Sequence, residues 1–213
     1  MLKIKSFTFN AFQENMYILI DESSKECIII DPGCNNPNEE SELIDYIESN
    51  GLQPKKLINT HCHIDHVLGN QLIADKYKLT LEAHELEKPV LGMCQQVGSM
   101  YGIPYKGSPE ISTFLHGGSS FSFQGTEIYI LFTPGHSPGS ICLYLKEQNE
   151  LIGGDVLFQG SIGRTDLPGG DHATLIGSIM TKLMPLPDET IVYSGHGPST
   201  TIGRERVSNP FLN

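Results

Sequence analysis

The chain has 213 residues, a length for one domain or two small ones, and it can bury a core without disulfide staples. Lys and Arg total 14 against 25 Asp and Glu, a formal net charge of −11, which argues against a nucleic-acid surface and against docking on anionic lipid. Hydrophobic residues make up 38% and charged ones 18%, too apolar for intrinsic disorder, and no run resembles a membrane span.

In chain order, residues 2–9 and 16–20 predict two strands joined by a polar turn. Residues 27–30 are a short apolar strand stopped by Asp31-Pro32-Gly33. Residues 39–50 carry Leu43, Ile44 and Ile47 on one face with Gly51 behind, a helix with a glycine stop. A strand is expected at 56–59, a helix at 67–78, a strand at 80–83 and a helix over 84–100, with Pro89 near its first turn. The stretch 102–118 has no periodicity and reads as a long loop of the kind that lines binding sites. Strands follow at 120–124, 127–132, 140–146 and 150–153. A helix over 171–184 places Ile176, Ile179, Met180 and Leu183 at helical spacing, with Asp171 as N-cap. A strand at 191–193 and a helical segment near 200–208 close the chain. Two runs of strands and helices predict an α/β (α+β) fold, two sheets packed face to face with helices outside.

The chemistry concentrates in Thr60-His61-Cys62-His63-Ile64-Asp65-His66, directly after the apolar pair Leu57-Ile58. Alternate residues at a strand end point the same way, so His61 and His63 can face one metal, and Asp65 and His66 a second. Imidazole and carboxylate suit zinc, iron and manganese. Three more apolar strands end in small-residue turns that carry one such group each: Thr133-Pro134-Gly135-His136, Gly153-Gly154-Asp155 and Ser194-Gly195-His196-Gly197. The seven residues exceed the needs of one tetrahedral zinc and suffice for two ions sharing Asp155.

This His-x-His-x-Asp-His core, followed in order by the Thr-Pro-Gly-His, Gly-Asp and Gly-His elements, resembles the metallo-β-lactamase superfamily. The resemblance runs from Asn15-Met16-Tyr17 to Asn209-Pro210-Phe211, and the stretch from Gly154 through Asp166 is similar to the short, single-domain glyoxalase II-like hydrolases. It implies an αβ/βα sandwich with two mixed sheets over one domain, 1–213, and no additional C-terminal helical domain. It also implies that His61, His63 and His136 hold the first metal, that Asp65, His66 and His196 hold the second, and that Asp155 bridges them. The expected cofactors are two divalent metal ions, zinc by default, with iron or manganese accepted by the same donors. The expected partner is a small-molecule thioester of the hydroxyacylglutathione type, with no nucleic acid and no membrane, while the oligomeric state stays open. A hydroxide bridging the metals would attack the acyl carbon, with Asp65 holding its proton.

Two other readings fit the same residues. A mononuclear iron persulfide dioxygenase would use His61, His136 and Asp155 as a facial triad. A non-catalytic protein would keep the metals for structure. Arg164 could receive a substrate carboxylate or simply pair with Asp166, and Tyr105 and Lys106 in the long loop are candidate contacts for an anionic substrate arm. His84 and His172 read as capping or surface residues, His116 as a loop residue, Asp31 as a turn organiser and Cys62 as a packed thiol. The amino terminus lacks a secretory-signal pattern, and the five cysteines are odd in number, which predicts reduced thiols and a cytoplasmic protein.

Overall fold

Residues 1–212 are described by a computed structural model, in which the chain divides into two units, Met1–Phe114 and the residues from Leu115 on. Each unit carries a six-stranded mixed sheet with its own helices, so the α/β class read from the sequence holds.

In the first unit the strands β1 (Lys3–Phe9), β2 (Glu14–Ile20), β3 (Glu26–Ile30), β4 (Gln53–Ile58), β5 (Leu81–Ala83) and β6 (Ile111–Phe114) lie side by side in sequence order. The first three pair antiparallel, which short turns allow. The pairs β3–β4, β4–β5 and β5–β6 are parallel and so need crossovers. Helices supply them: α1 (Pro37–Ser49), then α2 (Ile64–Val67) and α3 (Asn70–Tyr77), then a 3-10 turn (Glu85–Glu87) and α4 (Lys88–Tyr101). Asn36 starts α1 by accepting the amides of Asn38 and Glu39, and Leu43 and Ile47 form its buried stripe. Every residue of β2 is buried, and β3 is buried from Cys27 to Ile30, so the middle of this sheet is covered on both faces.

Two expectations for this unit need correction. The helix predicted over 67–78 is broken between α2 and α3, because Gly69 donates its amide to Pro32 O at 2.7 Å. A Cβ on Gly69 would stand 2.5 Å from Cys34 Sγ, so only glycine admits this approach. The loop predicted over 102–118 contains β6, a strand with Ser112 and Thr113 exposed and too few apolar residues to announce itself.

In the second unit the strands are β7 (Ser120–Phe123), β8 (Thr126–Phe132), β9 (Ile141–Leu145), β10 (Glu150–Gly154), the short hairpin β11 (Leu157–Phe158) and β12 (Ser161–Ile162), then β13 (Ile191–Ser194) and β14 (Thr200–Thr201). The main sheet runs β14-β13-β10-β9-β8-β7, and only β10–β13 is parallel. Its crossover is α5 (His172–Ser178), capped by Asp171 as expected, which continues into a π-helical turn, Ile179–Leu183. That turn has more residues per repeat than an α-helix, so the 3.6 spacing fails and Met180, expected in the core, is exposed. Leu175, Ile179 and Leu183 pack with Leu151 and Val192. The last helix is α6 (Ile202–Ser208), capped by Thr201. Among the described residues no helix is long and apolar enough to cross a membrane.

Candidate metal centre

Strand β4 ends at Ile58, and the backbone beyond it is held largely by side chains. Asn59 still donates its amide to Glu82 O at 3.0 Å. Thr60 donates its amide to Asp31 Oδ1 at 2.7 Å and its hydroxyl to Asp31 Oδ2 at 2.5 Å, and Asn59 Nδ2 donates to the same carboxylate at 3.2 Å. Asp31 sits at φ 51°, a left-handed conformation that Asp tolerates better than most residues. It therefore organises the turn, as the sequence suggested.

The histidines cluster on this frame. The rings of His61 and His63 are 4.8 Å apart and perpendicular, and those of His61 and His66 are 4.1 Å apart. Asp31, His61 and His66 each offer a ligand atom within 4.8 Å of the others. His66 Nδ1 lies 3.2 Å from Asp31 Oδ2, so its Nε2 is the nitrogen presented to Asp65, whose Oδ2 is 3.7 Å away. His61 Nδ1 lies 3.2 Å from Thr60 Oγ1. Asn10 Nδ2 donates to Asp65 O at 3.0 Å and Gly33 O at 2.9 Å, tying the β1–β2 turn to the loop that carries His61, His63 and His66.

The second unit brings three further groups together. His136 Nδ1 lies 2.8 Å from the Arg164 carbonyl, which turns Nε2 toward Asp155. Asp155 Oδ2 is 3.6 Å from His136 Nε2 and 3.4 Å from His196 Nε2. Gly135 holds φ 130° against the first turn of α5, and Gly195 donates its amide to Gly154 O at 2.8 Å, extending the β10–β13 ladder to His196. Phe158 presents its ring edge-on to His196 at 6.2 Å.

These separations fit a metal. Spacings of 3.4–3.7 Å between imidazole nitrogen and carboxylate oxygen are too long for good hydrogen bonds. Two donors each about 2.1 Å from one tetrahedral ion lie about 3.4 Å apart. Three of the histidines have Nδ1 directed at an oxygen of the protein, the outer-shell arrangement that fixes which nitrogen binds.

The remaining candidates lie as follows. Arg164 forms a two-point ion pair with Asp166, 2.7 and 2.8 Å, and this guanidinium holds the exposed Asp166 carboxyl down at about 2. Lys106 pairs with Glu40, and Tyr105 packs against the apolar core of its unit, where burial pushes its phenol well up. His84 accepts the Leu86 amide and so caps the 3-10 turn, and His172 opens α5. Cys62 is fully buried and burial raises its thiol, in line with a packed residue. Sequence reasoning missed Glu87, whose buried carboxylate accepts the Cys62 amide at 2.7 Å, and Glu205, which accepts from Gly160, Thr200 and Asn209. A lone glutamate near a helix start reads as a surface complement to the helix dipole, so neither had a distinguishing signal.

A family model for the metallo-beta-lactamase superfamily matches residues 10–196. The chain belongs to the metallo-β-lactamase superfamily. It is 39% identical to a probable metallo-hydrolase, YqgX, of Bacillus subtilis, across all of this chain and 98% of that one. It is also 39% identical to the hydroxyacylglutathione hydrolase GloC of Haemophilus influenzae, across all of this chain and 99% of that one. Among solved structures it resembles BLEG-1, described as a B3 metallo-beta-lactamase, with TM-score 0.89 and 37% identity over 99% of this chain and 100% of that chain. It resembles TTHA1623, solved in a di-iron-bound form, with TM-score 0.87 and 35% identity over 98% and 100%. The two mixed sheets are thus those of the metallo-β-lactamase fold, and the chain is a metal-dependent hydrolase.

Proposed function

We propose that residues 1–213 act as one thioester hydrolase domain with a binuclear metal centre, taking substrates of the hydroxyacylglutathione type. His61, His63 and His136 would hold one ion, Asp65, His66 and His196 the other, and Asp155 both. The observation that carries this is the pair of prearranged donor sets, Asp155 facing His136 and His196 in one unit and Asp65 facing His66 in the other. The full-length likeness to GloC supports the substrate class. Zinc is the default metal, and the di-iron form of TTHA1623 supports iron as an alternative.

Two such ions, when bound, lower the pKa of a shared water and polarise the acyl oxygen. The protein's part is orientation. Asp31, Thr60 and the Arg164 carbonyl direct the imidazoles of His66, His61 and His136. Asp65, through the oxygen that does not face His66, holds the proton of the attacking water. A thiolate leaves without a strong general acid, so the mechanism asks for no further titrating histidine. The buried, protonated thiols fit a metal-assisted route rather than a cysteine nucleophile, and they fit a reducing compartment, the cytoplasm. The test is hydrolysis of an acyl-glutathione thioester by the metal-loaded chain, beside oxygen uptake on a persulfide. Thioester turnover without oxygen uptake is expected.

A further inference from the structure

Glu87 lies at the junction between the 3-10 turn and α4, and its side chain is completely buried. A carboxylate withdrawn from water is costly unless it meets a strong donor. Its Oε2 accepts the Cys62 amide at 2.7 Å, the length of a charge-assisted bond. Cys94 Sγ, two turns along α4, lies 3.3 Å from the Cys62 carbonyl. Both polar groups of the Cys62 backbone are therefore engaged from the same helix.

Cys62 is the residue between His61 and His63. Past Ile58 the Asn59 amide still goes to Glu82 O of β5, whereas the Thr60 and Cys62 amides go to the Asp31 and Glu87 carboxylates. Two carboxylates thus continue the ladder where the sheet stops. The Cys62 amide lies in the peptide plane shared with His61 and its carbonyl in the plane shared with His63, so the Glu87 bond fixes the first and Cys94 holds the second, and with them the directions in which the His61 and His63 side chains leave the backbone. Asp31 acts on Thr60 and His66, whereas Glu87 acts on the His-x-His pair itself. We infer that Glu87 is a positioning residue for the metal ion held by His61 and His63, acting through the Cys62 amide. This rests on the assignment of those two histidines to one ion.

The experiment strips the full-length protein of metal, reloads it with Zn²⁺ or Co²⁺, counts ions per chain and measures the affinity of each by chelator competition. The unfolding midpoint of the metal-free form is recorded beside it. His63→Ala identifies which ion is concerned and should abolish tight binding of one of two. Glu87→Ala should weaken that same ion by roughly 10–100-fold, the usual effect of losing an outer-shell partner, and shift its Co²⁺ visible band. Glu87→Gln, isosteric and still an acceptor but uncharged, should fall between the parent and Glu87→Ala. Parent-like affinity for both ions in Glu87→Gln, within about twofold, overturns the inference and is readable even if Glu87→Ala does not fold. Weakening confined to the other ion overturns it too. If His63→Ala keeps both ions at parent affinity, the metal assignment fails instead.

Discussion

Asp31 Oδ2 lies 3.2 Å from Nδ1 of His66, and the same carboxylate takes the amide and hydroxyl of Thr60 and the side-chain amide of Asn59. One buried residue thereby ties the end of β3 to the strand end that carries His61 and His63. Asp31→Ala leaves several buried donors without this acceptor and puts a residue less tolerant of φ 51° in its place. The expected cost is about 3 kcal/mol or more in urea unfolding of the metal-free protein, together with reduced metal content. Asp31→Asn, which tolerates the conformation and keeps one acceptor oxygen, should lose less. A loss below about 1 kcal/mol in Asp31→Ala would show that the network is not cooperative.

Gly135 makes the turn before His136. Its φ is 130°, and a Cβ there would lie 2.3 Å from the Leu175 amide nitrogen and 2.5 Å from Leu175 Cβ. Gly135→Ala combines a strained backbone with a clash against α5, and about 3 kcal/mol of destabilisation is expected. Thermal and urea denaturation check this; a change within about 0.5 kcal/mol would mean that α5 shifts freely.

Asp155 faces both His136 and His196. Asp155→Asn removes the ionised ligand assigned to both ions, so metal content and thioester turnover should fall together. Elemental analysis with an activity assay on the same preparation reads both, and two retained ions with normal turnover would reject the bridging role.

The buried thiols should contribute to the loss of stability at alkaline pH. Desolvation pushes Cys27, Cys34, Cys94 and Cys142 up to about 12. A group raised in the folded state contributes stability that is complete below its unfolded value, near 9, and is lost as pH rises toward about 12. Each such thiol should steepen the fall by up to about 1.4 kcal/mol per pH unit across that window. Urea unfolding at pH 8 to 10.5 should show the decline, and Cys142→Ala should flatten it. At pH 8 the native protein should also resist iodoacetamide and carry no acyl adduct after turnover; rapid labelling of the native state would contradict the burial argument.

Much of this was legible in the residues. The strand-end histidines and aspartates are visible because an apolar run, a small-residue turn and a ligating side chain are neighbours in sequence, as in Ile152-Gly153-Gly154-Asp155. The capping signal at Asp171 is local too. What was not legible depends on partners far along the chain. The break at Gly69 depends on Pro32 and Cys34, β6 exists through its pairing with β5, and Glu87 matters through Cys62. Nothing near those residues in sequence announces the contact.

Two ions per chain should be what makes this chain a thioester hydrolase. Metal-free protein titrated with Zn²⁺ or Fe²⁺ under anaerobic conditions, while hydrolysis of an acyl-glutathione thioester is followed, tests it most directly. Activity should rise to a plateau at two equivalents per chain. A plateau at one equivalent, or no hydrolysis at any loading, would contradict it.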